Sequence, residues 1–252
     1  MRAFRAHGAR YVARLEEAER EVVSQLATDV AELLGATPAQ LAAAHGSSAQ
    51  ASSAQGSAVE GTGEVSDGES AGTTAREAAA WDVPPLGGVD HVLASLVDPS
   101  TPAGERGPGE PLDPALRRLL PSASQDAEVA AEFRRFTQVD LRAHKIDRLL
   151  ALVAALEAGA AKGRLAVPKD RADLLAGALV DIRLVIAERL GLDSDDSADA
   201  LYAELAEAEA GDGPHGVAAA LRLQLASAYA ALTWWQESLV TAQLADLDDA
   251  AP

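Results

Sequence analysis

From about Ser124 to Ala158, apolar side chains return every three or four residues: Val129, Phe133, Phe136, Leu141, Ile146, Leu149, Leu150, Val153 and Leu156. That interval is the pitch of an α-helix. At 1.5 Å per residue such a helix is about 50 Å long, so it is either the central rod of a bundle or kinked. Ser124 suits its N-cap, and Asp126 with Glu128 fill an acidic first turn.

The remaining apolar content favours the same class. Hydrophobic residues make up 48% of the chain and aromatics only 4%, so the core vocabulary is Ala, Leu and Val. Ala and Leu are the strongest helix formers, whereas a β-sandwich needs many more β-branched and aromatic residues. Shorter stripes place further helices near 16–34 (Ala18, Val22, Leu26, Val30), near 168–190 (Leu174, Leu175, Ala178, Leu179, Ile182, Val185, Ile186, Leu190) and near 217–244 (Leu221, Leu225, Ala228, Leu232, Trp235, Leu239). A weakly amphipathic, mostly solvated helix with Leu201 and Leu205 falls between Asp193 and Asp212. Short helices are expected at Val89–Val97 and from Asp113 to Leu120, and a short strand at Arg164–Val167. At the N-terminus, Phe4, Tyr11 and Val12 flank His7-Gly8-Ala9, the pattern of a small hairpin in which Gly8 supplies the φ > 0 of a tight turn.

Between residues 42 and 76 the pattern stops. From His45 to Thr74 the only larger apolar side chains are Val59 and Val65. Such a segment cannot bury enough surface to offset the ~1–2 kcal/mol per residue of backbone ordering, so disorder is expected. The organisation that follows is mainly α, a helical bundle. Residues 1–41 carry the hairpin and first helix, 42–76 a disordered Ala/Ser/Gly-rich insertion, 77–245 the helical core and 246–252 an acidic tail.

Charge and missing residue types narrow the function. Cys is absent and Met1 is the one methionine, so disulfides, thiolate metal sites and thiol nucleophiles are excluded. A net charge of −18 opposes strong nucleic-acid binding, which depends on Lys and Arg at the phosphates. No run of about 18 apolar residues suggests a membrane span, and Met1 to Arg5 lacks a signal peptide's apolar stretch. Cytoplasmic localisation is the expectation.

Four constellations carry chemical options. Asp140, His144 and Asp147 share a helix face and could hold a metal, but Arg142, Lys145 and Arg148 lie among them, which fits a solvated ion-paired face better. Gly211-Asp212-Gly213-Pro214-His215-Gly216 matches G-x-G-x-x-G without the strand that dinucleotide binding requires, and reads as a loop between helices. Trp234 lies off the stripe that includes Trp235. It either covers a second packed surface or anchors a partner, as exposed tryptophans often do. Arg2, Arg5, Arg10 and Arg14 precede the first acid, Glu16, and could meet phosphates. The favoured alternative is a structural cap whose arginines pair with nearby acids, Glu16 and Glu19 among them. No Walker motif, nucleophile elbow or H-E-x-x-H is present, so no catalytic, cofactor-binding or metal residues are assigned.

Three segments taken in order resemble a known family: Ala130-Ala131-Glu132-Phe133-Arg134-Arg135-Phe136-Thr137 with Asp140-Leu141-Arg142, then Asp181-Ile182-Arg183-Leu184-Val185-Ile186 with Arg189-Leu190-Gly191, then Trp234-Trp235-Gln236-Glu237-Ser238-Leu239-Val240. They are similar to an actinobacterial family catalogued as a domain of unknown function, numbered two thousand and seventeen, whose members are labelled AosR-like. The resemblance implies a cytoplasmic regulator acting with the transcription machinery, through a sigma factor, under oxidative stress. The family's proposed sensing uses cysteines, and none is present here. The expectation is therefore a non-enzymatic regulatory or interaction protein with a protein partner. Direct DNA binding through the basic hairpin is one alternative, and an enzyme without a linear motif is another.

Overall fold

The computed structural model describes residues 1–54, 111–211 and 216–249. The described part is mainly helical, with a small sheet against one side. Strand β1 (Arg5–His7) and strand β2 (Arg10–Arg14) form the expected hairpin. Gly8 turns it at φ 55°, a conformation that favours glycine. Strand β3 (Arg164–Pro168) adds antiparallel to the far side of β2, so the order is β1-β2-β3. The strands alternate: Tyr11, Ala13, Leu165 and Val167 face the core, while Arg10, Arg14 and Arg164 face solvent.

Helix α1 (Glu17–Leu33) buries Val22, Val23, Leu26, Ala27 and Val30. Helix α2 (Pro38–Ala54) follows, and it corrects an expectation. Composition predicts disorder from residue 42, yet the chain is helical to Ala54, with Leu41 and Ala44 buried. A few apolar side chains suffice because α2 lies along a preformed neighbour, the long central helix. The rest of the expected insertion, 55–76, lies outside the described residues, as does the expected helix at Val89–Val97.

Helix α3 (Pro114–Leu119) is started by Asp113, whose carboxylate accepts the Ala115 N–H at 2.8 Å. The long helix α4 (Ala127–Gly159) is the rod that the sequence implies. Its N-cap is Asp126 rather than Ser124, because the Asp126 carboxylate takes the N–H groups of both Glu128 and Val129. At its other end Gly159 crosses under β3 so closely that a Cβ there would overlap the Arg164 carbonyl oxygen.

Helix α5 (Ala172–Leu190) is the most enclosed element, touching α1, α3, α4, β3 and the last helix. Leu179, Ile182, Val185 and Ile186 are fully buried on it. Helix α6 (Asp195–Glu209) buries only Leu201 and Leu205, as a mostly solvated helix should. Helix α7 (Val217–Asp249) runs on past Leu244, so Asp246 belongs to a helix and not to a tail. No helix among the described residues is long and apolar enough to cross a membrane.

Candidate functional site

The most buried charge among the described residues lies between α4 and α5. Asp181 is fully buried. It accepts a hydrogen bond from Lys145 Nζ at 2.5 Å and another from Arg148 Nε at 2.6 Å. Periodicity suggests that Lys145 and Arg148 pair along their own helix, but both reach across to the next one. The carboxylate is satisfied on both oxygens, so the triad fixes how α4 registers on α5 and offers no free group for chemistry. Asp140, His144 and Asp147 point to solvent. Among the described residues no group of three His, Asp or Glu side chains converges as metal ligands would. Residues 212–215 of the G-x-G-x-x-G segment lie outside the described residues.

The chain's beginning and end meet at the tryptophan pair. Trp235 is fully buried and stacks on Phe4, with ring centroids 4.9 Å apart and planes 26° apart. Ser238 joins the two segments: its hydroxyl accepts the Phe4 N–H at 3.1 Å and donates to the Trp235 carbonyl at 2.7 Å. Trp234 is half-buried and packs at the margin of the core. It lines an open groove of about 530 Å³ with Ala6, Glu237, Thr241, Ala245 and Asp246. The Asp246 carboxylate pairs with Lys169 and accepts from the Tyr11 hydroxyl at 3.3 Å. The hydrogen bond from Lys169 holds the Asp246 carboxyl below its ordinary range. Burial, and then the Asp246 charge, push the Tyr11 phenol above its own.

A second surface departs from the sequence reading. Val129, Phe133, Phe136 and Leu141 belong to an apolar stripe expected in the core, yet Val129 is 53%, Phe133 51%, Phe136 71% and Leu141 38% exposed, and Val139 beside them is 73% exposed. From Ala131 to His144 no residue of α4 is buried, and the continuous burial begins at Lys145. The front half of α4 therefore presents an uncovered apolar face among the described residues.

The hairpin arginines Arg2, Arg5, Arg10 and Arg14 are all exposed. Among the described residues they form no ion pair with Glu16 or Glu19. Glu19 instead accepts the Glu16 N–H at 2.8 Å and pairs with the Met1 amine. Strand β3 sets Arg164 directly opposite Arg14. Arg164 escaped sequence reasoning because the three-stranded register joins distant parts of the chain, and only the alternation within 164–167 hinted at it.

The model of one family, a domain of unknown function (DUF2017), matches residues 1–243. No curated protein and no solved structure matches the chain.

Proposed function

The chain belongs to the DUF2017 family, and from that premise we propose that it is a non-enzymatic regulatory protein that works by contacting a protein partner. The observation that carries this reading is the bare face of α4. Two aromatic and two branched aliphatic side chains stand in one line, more than half exposed. Each would contribute on the order of 1.5–3 kcal/mol if fully covered. Such faces on otherwise well-packed proteins mark interaction sites. Half-buried Trp234 at the groove is a second anchor, of the residue type that most often dominates interfaces.

The sequence resemblance supplies the finer reading. AosR-like members are regulators, so the proposed partner is a sigma factor in an actinobacterial cytoplasm, and the occasion is oxidative stress. Because the chain has no cysteine, the partner or the control of expression carries the sensing in this proposal.

Binding of purified sigma factors from the source organism, measured by titration calorimetry, tests it. Phe136→Ser should weaken binding about tenfold, the loss expected for truncating an anchor worth ~1–2 kcal/mol. Its thermal midpoint should not move, since the side chain leaves no cavity behind. Unchanged affinity in the variant, or no binding by the wild-type chain, overturns the proposal.

A further inference from the structure

The outer face of the three-stranded sheet carries a charge pattern that its own fold does not use. Alternation puts Arg5 and His7 of β1, Arg10 and Arg14 of β2, and Arg164 of β3 on the solvent side. Arg2, also exposed, lies at the end of the same sheet, where its N–H donates to the Arg14 carbonyl at 2.9 Å. Among the described residues none of these five arginines has a carboxylate partner. Elsewhere in the molecule arginines are used: Arg118 pairs with Glu188, Arg148 with Asp181, Arg189 with Asp113 and Arg222 with Glu204. Two acids beside the sheet are already committed, Glu19 to the Met1 amine and Asp246 to Lys169.

Arg14 and Arg164 stand directly opposite each other across the β2–β3 ladder. Like charges in that position weaken strand pairing. A cap that served stability alone would place an acid or a neutral residue at one of them. The repulsion is relieved when an anion covers the pair.

We infer that this face docks the phosphate backbone of duplex DNA. Charge complementarity is the argument, since four guanidiniums with no carboxylate partner among the described residues gather on one small surface of a chain whose net charge is −18. Arg10 and Arg14 are separated along β2 by roughly 13 Å, at about 3.3 Å per residue. That span of duplex carries about eight phosphate charges on its two strands. Guanidinium forks match phosphate oxygens in bidentate fashion. The face is suited to backbones and not to bases. Its outward side chains include no large aromatic ring, since Phe4 and Tyr11 both face inward and are buried, and the imidazole of His7 is the one aromatic ring on that side among the described residues. The apolar side chains between the arginines, Val12 and Ala166, are small and half-buried. The surface is separate from the bare face of α4, so it stands or falls independently of the protein-partner proposal.

Fluorescence anisotropy tests it, using the full chain and a labelled duplex of about 20 base pairs, well beyond the face's span. Affinity should fall with salt at a log–log slope of about −4, close to −0.9 for each of four phosphates. Arg164→Gln should reduce that slope by about 1. The combined change Arg5→Gln, Arg10→Gln, Arg14→Gln and Arg164→Gln should abolish the binding, while Arg135→Gln on α4 should leave the slope as it is. All four positions are exposed, so the variants keep the core. If the combined variant nevertheless fails to fold, the single Arg164→Gln slope decides. An undiminished slope in that variant, or no binding at low salt, overturns the inference. Binding of polyglutamate as tight as that of the duplex would also overturn it, by assigning the face to an acidic protein segment.

Discussion

Trp234 and Trp235 are adjacent in the chain and differ sharply in their surroundings. On a helix consecutive side chains point about 100° apart, and the stripe through Leu225, Leu232 and Leu239 selects Trp235 for the interior. Trp235→Ala should therefore destabilise the fold by about 3–5 kcal/mol. Trp234→Ala should cost clearly less, since that ring is only half-buried. Denaturant melts of the two variants check the order, and equal losses would contradict it. This distinction was legible because helical period fixes direction. The partners of charged residues were not legible. Asp181 looks like one acid among many in the sequence, and only the packing of α5 on α4 makes it the receptor for Lys145 and Arg148. The hairpin arginines mislead for the same reason in reverse, because Glu19, an acid they were expected to meet, is held by other groups.

Among the elements, the long helices were legible in their period, and their ends were less so. Caps are decided by which side chain reaches a free N–H, and Asp126 reaches two where Ser124 is favoured by position alone. Periodicity also shows that α4 has an apolar face but not which neighbours cover it, so the bare stretch at Phe133 and Phe136 was invisible. Helix α3 offers a test of a cap. Burial alone would raise the Asp113 carboxyl, but the hydrogen bonds from Arg189 and from the Ala115 N–H outweigh it and hold the group below its usual range. A carboxyl depressed in the folded state adds stability above its unfolded pKa of about 3.9 and loses it as pH falls through the folded value. Asp113→Asn should thus lower the melting temperature most near neutral pH. The gap from wild type should close below about pH 4. A gap that stays constant across that range would show that Arg189 gains nothing from the charge.

For the molecule as a whole, the chemistry that is missing makes a prediction of its own. Reversible redox switches in proteins use the Cys thiolate or the Met thioether. This chain has no Cys and its one methionine is Met1. Mild peroxide or diamide should leave its helical content, mobility and partner affinity as they were. A change reversed by reductant, seen with the purified chain alone, would contradict that expectation. The helical class was plain from composition and period. The three-stranded sheet was only half visible, since its third strand arrives from beyond the long helix and pairs by register rather than by proximity.

The clasp between Phe4 and Trp235 has a consequence for how the protein is made. Strand β1 finds its cover in helix α7, more than two hundred residues further along, and the Phe4 N–H and the Tyr11 hydroxyl bond to side chains of that same helix. Domains complete themselves on the ribosome only when the residues they need have emerged. Here β1 and Phe4 lack their cover until α7 has been made, and closure over so long an intervening chain is entropically a late event. The nascent hairpin is thus held in waiting, its Phe4 side uncovered until α7 is released.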